Sequence, residues 1–385
     1  MGLPLKYNIR NLKRRKMRTL LTMAGIALFV LVAIFMLAFS RGMLLTIKST
    51  GSPDNIRVLS RKGQGESHSS LEAADYNLLR NIPEIKKNAQ GEPLISLDVY
   101  YPCAINVVGA NYQGRHGIVR GIEPSVFEVN DKAKITEGTA PGKGFQVMAG
   151  KLAYAKMGVP KEVIAVGSKI SFENTEWTIV GKFSADGTAM ESEFWVDVGD
   201  LNTIINRQTY TSATFKLNNL VDMERIIRDL NSRMDILVKA VSEQSYYQEY
   251  ASGFERIVYL AIIMSLLALL GGLMNGMNTM YTAILGRIRE IATLKILGFS
   301  KTAIVTSFIM ESLFISLGGA IIGSLIGLSL NGIPAKLGMF AFTFRVDALV
   351  LLSGLVIALV IGVFGALIPA LKATKIEIPQ ALRYE

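Results

Sequence analysis

The sequence predicts an α-helical membrane domain of four transmembrane helices plus an α/β extracytoplasmic domain inserted between spans one and two. Three observations predict it. Half of the 385 residues are hydrophobic, only 19% are charged and the mean hydropathy is +0.35, too apolar for an ordinary soluble domain. Four uncharged runs, 19–40, 257–286, 312–335 and 348–371, are each bounded by charge at both ends. A helix needs about 20 apolar residues to cross, and a central charge costs roughly 2.5–3.5 kcal/mol. Finally, about 210 residues of mixed composition separate the first run from the second, enough for an independent α/β domain or two small ones.

The runs justify each element in turn. Residues 1–18 hold Lys6, Arg10, Lys13, Arg14, Arg15, Lys16 and Arg18 with no acid, so this basic end stays in the cytoplasm. Transmembrane helix 1 is 19–40. Its apolar run exceeds a signal-peptide core and no A-x-A site precedes Arg41, so it is expected to remain as an anchor. The α/β domain is 41–253, with helical stalks. "GMLLTIKST" extends span one until Gly51 and Pro53, and "SEQSYYQEYASGFER" carries the helix of span two out of the bilayer, about 15 Å for ten residues. Transmembrane helix 2 is 254–286, a cytoplasmic segment 287–300 follows, helix 3 is 301–335, an outside loop is 336–347, helix 4 is 348–371 and a cytoplasmic tail is 372–385.

Within 41–253, "NIRVLSR" has strand character and "SSLEAADYNLLRNI" reads as a helix stopped by Pro83. "SKISFENTEWTIVGKF" alternates about Asn174 and Thr175 as a β-hairpin. "SEFWVDV" is a further strand, and "DMERIIRDLNSRM" is a helix with Met223, Ile226, Ile227 and Leu230 on one face.

Charge distribution separates topology from ligand binding. The chain has 41 Lys and Arg against 31 Asp and Glu, net +10, yet residues 41–253 hold 24 basic and 25 acidic residues. The excess therefore lies beside the apolar runs, where it reports orientation and not a nucleic-acid partner. Arg287, Arg289, Lys295 and Lys301 against Glu290 mark the loop after span two as inside. Lys372, Lys375 and Arg383 do the same for the tail, whereas the loop after span three has only Lys336 and Arg345 against Asp347.

Chemistry is sparse. One cysteine, Cys103, makes no intrachain disulfide, and His68 and His116 are too few for a His-rich metal site. "GTAPGKGF", residues 138–145, has three residues between its glycines where a phosphate loop has four, and Gly144 stands where Ser or Thr would ligate magnesium, so it reads as a turn. No H-e-x-x-H or G-x-S-x-G pattern is present, so no catalytic residue, bound cofactor or metal is assigned. Asp186, Glu191, Glu193, Asp197 and Asp200 read as a solvated strand edge, because calcium-loop spacing is absent.

The inside loop is more informative. Arg287, Arg289 and Glu290 precede Ile291, Leu294 and Leu297 at helical spacing. Gly298 is then a stop signal and Ser300 a new start. This describes a short amphipathic helix, and composition leaves two uses open: anchoring on lipid headgroups or docking a cytoplasmic partner. On span three, Gly319, Gly323 and Gly327 form a small-residue face suited to intrachain packing or to a dimer seam, with intrachain packing preferred. Glu311 is costly near the inner end of a span, so a brace to a basic residue of the loop is expected.

"GRIREIATLKILGFSKTAI" followed by "ESLFISLGGAIIGSLIG" resembles the core of the FtsX-like permease domain of MacB-type ABC transporters. That pattern runs roughly E-R-x-R-E-I-G-x-L-(K/R)-A-L-G and then E-(S/A)-x-x-(I/L)-x-x-x-G-G-x-x-G. The match puts Arg287, Arg289, Glu290, Ile291, Leu294, Lys295 and Gly298 on a coupling helix, and Glu311, Gly318, Gly319 and Gly323 on span three. Gly286 departs where the family usually has Glu, as do Ala292 and Ile296 where Gly and Ala are common. "GIVRGIEPSVF", "VMAGKLAYAKMGV" and "WTIVGKFSADG" resemble the MacB-type periplasmic core domain, and "IPALKATKIEIPQALRYE" resembles the family's closing segment.

The resemblance implies a permease subunit of the bacterial inner membrane, paired with a second copy or paralogue and with separate ABC ATPase subunits that hold ATP and magnesium. Membrane lipids surround it, no nucleic acid is a partner, and a periplasmic adaptor is left open. It implies motion of the outside domain that exports or extracts a lipid, peptide, lipoprotein or drug-like substrate. The alternative is an FtsX-like mechanotransmitting scaffold that regulates a cell-wall hydrolase.

Overall fold

The computed structural model describes residues 16–63, 65–338 and 340–375; the basic residues Lys6 to Arg15 and Arg383, from which a cytoplasmic placement of both ends is expected, lie outside the described residues. In chain order the elements are α1 (Lys16–Ser49), β1 (Asn55–Ser60), α2 (Ala73–Arg80), β2 (Ile95–Val107), β3 (Tyr112–Ile122), α3 (Val126–Val129), β4 (Lys134–Gly138) and β5 (Gln146–Gly150). There follow α4 (Ala153–Met157), β6 (Lys169–Phe172), β7 (Thr175–Ser184), β8 (Phe194–Asp197), α5 (Val198–Ile204), β9 (Ser212–Lys216), α6 (Met223–Ser232), β10 (Val238–Ser242) and α7 (Glu243–Ser252). The last are α8 (Glu255–Leu285), α9 (Ile288–Ile296), α10 (Lys301–Leu328), β11 (Pro334–Leu337), β12 (Phe340–Thr343) and α11 (Ala348–Lys375). The chain divides into a helical unit, Met1–Arg41, Arg256–Gly332 and Phe344–Glu385, and an α/β unit, Gly42–Glu255 and Ile333–Thr343.

In the helical unit, α1, α8, α10 and α11 are each long and apolar enough to cross a membrane. Small residues let them approach closely. A Cβ added to Gly319 would stand 2.9 Å from the Met23 carbonyl oxygen, one at Gly323 2.7 Å from the Ala27 carbonyl oxygen, and one at Gly327 2.8 Å from Ile34. The glycine face of α10 therefore packs on α1 of the same chain, and Gly318 meets the Met23 side chain. Elsewhere in the bundle, Gly272 and Gly276 of α8 face Ile361 and Gly365 of α11. Polar ties close both ends of this bundle. Arg18 donates to the Thr279 carbonyl and the Thr282 hydroxyl, and Arg41 pairs with Asp347 at 3.0 Å while Asp347 caps α11 through the Val350 amide.

Three boundaries differ from the sequence reading. The charge-free run of span three reaches residue 335, but α10 ends at Leu328 because the chain then turns through Gly332, at φ +82°, into Pro334. The expected outside loop, 336–347, is largely a hairpin of β11 and β12 that belongs to the α/β unit. The stalk before span two is helical as α7 but not continuous with α8: the chain turns at Gly253 and Phe254. Helix α1 runs unbroken to Ser49, about 51 Å for its 34 residues.

The α/β unit has two lobes that share β2. Strands run β10-β1-β9-β2 with every neighbour antiparallel, and α2 and α6 follow β1 and β9 in the chain. This is a split β-α-β-β-α-β arrangement with a long insertion between its second and third strands. Ile56, Val58, Ile95, Leu97, Ala213 and Phe215 bury one face of that sheet among Leu79, Ile226 and Leu230 of the two helices. The insertion forms a closed ring, β2-β3-β8-β5-β7-β6 and back to β2, filled by residues such as Val119, Ile170, Phe172, Trp177 and Phe194. Ring closure removes open strand edges. Helix α2 is capped by a reciprocal Glu72–Asp75 box. The hairpin turn falls on Glu173 and Asn174, both at positive φ, one residue before the pair expected.

Candidate coupling site

Helix α9 is nine residues long, too short to persist alone in water, so its stability comes from what holds it. Its anchors are visible from end to end. Arg287 precedes it, and its side chain turns inward to Glu311 of α10, donating from both terminal nitrogens at 2.7 and 2.9 Å. Both groups are buried, at 6% and 5% exposure. Parallel two-point pairing fixes direction as well as distance. Ile288, Ile291 and Ala292 are buried, and Leu294 packs with Ile291 in a cluster containing Ile304 and Phe308 of α10 and Ala366, Ala370 and Ala373 of α11.

The far end is closed by backbone geometry. Gly298 adopts φ +88°, its amide donates to the Lys295 carbonyl, and the Phe299 amide donates to the Leu294 carbonyl. This pair of bonds is the Schellman closure, for which a residue without Cβ is favoured. Two residues on, the Ser300 hydroxyl accepts from the Ala303 amide and starts α10. Lys295 donates to the Thr374 carbonyl at 2.8 Å, placing a cation in the last turn of α11, where the helix dipole favours it.

Arg289 and Glu290 lie on the exposed side of α9. Leu297 is not part of the buried face that its spacing with Ile291 and Leu294 suggested: the helix has ended at Ile296, and Leu297 is 69% exposed. Ile296 beside it is 60% exposed. The site is thus a braced helix whose C-terminal end presents two large apolar side chains, with Arg289 and Glu290 exposed in its first turn.

The acidic stretch is a second correction. Glu191 and Glu193 are buried rather than solvated. Glu191 accepts from Ser184, Ala185 and Gly187, which closes a turn. Glu193 receives two bonds from Arg120, at 2.7 and 2.8 Å, and one from the Trp195 indole at 2.9 Å. Asp200 accepts from the Gly144 and Phe145 amides, so the backbone donors of the phosphate-loop look-alike are taken by the chain's own carboxylate. Among the described residues, no group of three or more His, Cys, Asp or Glu is placed to hold a metal ion.

Arg120 belongs to a larger buried network that sequence reasoning missed. Asn55 and Arg57 of β1, Ser96 and Asp98 of β2, and Ser212 and Thr214 of β9 occupy the polar face of the first lobe's sheet. Arg57 and Arg120 both reach Glu66, Arg120 at 2.5 Å; Arg57 also donates to Ser212 at 3.1 Å and lies 3.5 Å from Glu243. Asp98 stands 3.5 Å from Arg120. Burial pushes the Asp98 carboxyl up to about 6 despite the nearby guanidinium groups. Burial also works to raise Glu66, but Arg120 and Arg57 outweigh it and hold that carboxyl at about 2.

These two shifts act in different pH windows. A raised carboxyl contributes stability that is complete below its unfolded value near 3.8 and lost as pH rises through about 6. Glu66 contributes above about 4.5, and that is lost as pH falls toward about 2. Between pH 7 and 5, Asp98 therefore makes the α/β unit more stable on acidification, by on the order of 1 kcal/mol. Asp98→Asn should flatten this rise and leave the protein at least as stable as wild type at pH 7.5. Denaturant unfolding followed by tryptophan fluorescence at both pH values checks it; an unchanged slope refutes the assignment.

Comparison with known proteins accounts for both units. A model described as MacB-like periplasmic core domain matches residues 19–233, more than half of the chain, and one described as FtsX-like permease C-terminal matches residues 262–378. They define a multi-pass membrane permease of the ABC transporter class. The chain belongs to the family of MacB-like periplasmic core domain proteins, with an FtsX-like permease C-terminal region. It is 24% identical to the uncharacterized ABC transporter permease YknZ of Bacillus subtilis, covering 96% of each chain. It is likewise 24% identical to the macrolide export ATP-binding/permease protein MacB of Hahella chejuensis, covering 96% of this chain and 58% of that one. The crystal structure of the periplasmic region of MacB from Actinobacillus actinomycetemcomitans aligns with 54% of this chain and 98% of its own, at 14% identity and a TM-score of 0.39.

Proposed function

We propose that the chain is the permease subunit of a MacB-type ABC transporter, coupling ATP hydrolysis by separate cytoplasmic ATPase subunits to motion of its extracytoplasmic domain. The observation that carries this reading is α9, braced by Arg287–Glu311, the Leu294 cluster and Lys295–Thr374 while Ile296 and Leu297 stay exposed. A helix held at both ends transmits displacement instead of absorbing it. Its exposed apolar pair, with Arg289 and Glu290 in the first turn, is the surface an ATPase would grip. ATP and magnesium sit on that partner and not on this chain. α1 and α8 carry the displacement, the termini are cytoplasmic, and the complex is a dimer of permeases over two ATPases. The cargo is a lipid, peptide, lipoprotein or drug-like molecule taken from the outer face of the inner membrane, with or without a periplasmic adaptor.

Deletion of Arg287 to Gly298 tests the assignment. The expected result is loss of ATPase copurification with an α/β unit that still resists limited proteolysis. Copurification retained after the deletion would remove α9 from the coupling role.

A further inference from the structure

The α/β unit holds a cavity of about 290 Å³, at the lower end of the size range of sites for small organic ligands. Its walls are aromatic: Tyr100 of β2, Tyr246 and Tyr250 of α7, and Phe340 of β12. Its floor is ionic, made of Glu66, Arg120 and Glu193. The walls come from stretches far apart in the chain, so the cavity exists only when the whole unit is folded. Tyr250 lies five residues before α8 in sequence, and Phe340 eight before α11.

The charge of the floor selects the ligand. The network behind it contains two guanidinium groups, Arg57 and Arg120, against four carboxylates, Glu66, Asp98, Glu193 and Glu243. All six side chains are buried. An uncompensated negative charge in such a medium is felt more strongly than in water. The aromatic walls already serve cations: Arg57 lies 5.4 Å from the Tyr246 ring centroid, and Arg120 lies 5.1 Å from that of Tyr100. Anionic headgroups, phosphates and carboxylates are repelled by the same excess. A protonated or quaternary amine gains from the carboxylate surplus and from the π faces together.

We propose that this cavity binds a small organic cation, an amine or quaternary ammonium carried on a compact aromatic or branched apolar body. The apolar body lies among Tyr100, Tyr246 and Phe340, and the cationic group lies toward Glu66 and Glu193. Occupancy needs no ATPase, so this site stands or falls separately from the coupling role of α9.

Calorimetric titration of the full-length chain in detergent micelles, at constant ionic strength and pH 7.5, tests it with two probes of similar body and opposite charge. Benzyltrimethylammonium should bind saturably at one site per chain, at least tenfold more tightly than benzenesulfonate. Ser67→Trp places an indole at the half-buried rim of the cavity and should weaken cation binding at least tenfold. Tyr250→Ala, at a residue 39% exposed and outside the ionic network, should weaken it at least threefold with unchanged tryptophan fluorescence. Absence of saturable cation binding, equal or tighter binding of the sulfonate, or undiminished binding in either folded variant overturns the proposal.

Discussion

Arg287→Ala should detach α9 from the helical unit and lower the unfolding midpoint of the detergent-solubilised protein by on the order of 10 °C. Removing one member of a buried ion pair costs about 3–5 kcal/mol, because the partner is left charged and unpaired. Here the stranded group is Glu311, 5% exposed on α10. Arg287→Lys should rescue only part of the loss, since an ammonium cannot repeat the two parallel bonds at 2.7 and 2.9 Å. The double variant Arg287→Met with Glu311→Leu should recover the midpoint, because it leaves no buried charge behind. Scanning fluorimetry of the four proteins separates these cases. A single alanine variant as stable as the wild type would show that the pair holds nothing in place.

Arg120→Ala should be more damaging, preventing the α/β unit from folding at neutral pH. The guanidinium makes two bonds to Glu193 and two to Glu66, approaches Asp98, and covers the ring of Tyr100. Its loss leaves Arg57 alone against four buried carboxylates, a penalty on the scale of the roughly 5–15 kcal/mol that a domain has in total. The chain has two tryptophans, so a Trp177→Phe background isolates Trp195, whose indole donates to Glu193 and whose ring stacks on Phe183 at 4.1 Å. Red-shifted emission and rapid proteolysis within residues 42–255 are the expected readout. A native emission maximum in Arg120→Ala would contradict the role given to the network.

The sequence announced its helical parts because the membrane imposes one simple rule: a span must be long and uncharged. That rule does not see chain direction after the helix ends, so the run to Ala335 concealed the stop at Leu328 and the hairpin beyond it. Around α9, Gly298 and Ser300 were readable because each does a local job, one adopting a left-handed turn and the other capping the next helix. Leu297 misled because spacing alone cannot say where a helix finishes. The buried ionic network was hidden for a different reason. In "NIRVLS", "ISLD" and "SATFK" polar and apolar residues alternate, which in a single strand reads as one dry and one wet face. Both faces are covered here, the polar one because another lobe is inserted within the first. Only tertiary pairing reveals that, and neither Arg57 nor Arg120 carries a local mark of it.

The β11–β12 hairpin also bears on how the chain is made. The Ser192 hydroxyl accepts from the Ala341 amide at 2.7 Å and donates to the Ala341 carbonyl at 3.2 Å, and Lys156 donates to the Gly338 carbonyl at 2.6 Å. The final piece of the α/β unit is thus encoded after two further membrane helices. At about 5–20 residues per second, the ribosome needs on the order of 4–18 s to travel from Glu255 to Thr343. For that interval the unit waits with Ser192 and Lys156 unmatched and the seat of Phe340 open to water. A fragment cut at Glu255 would be held in that unfinished condition for good.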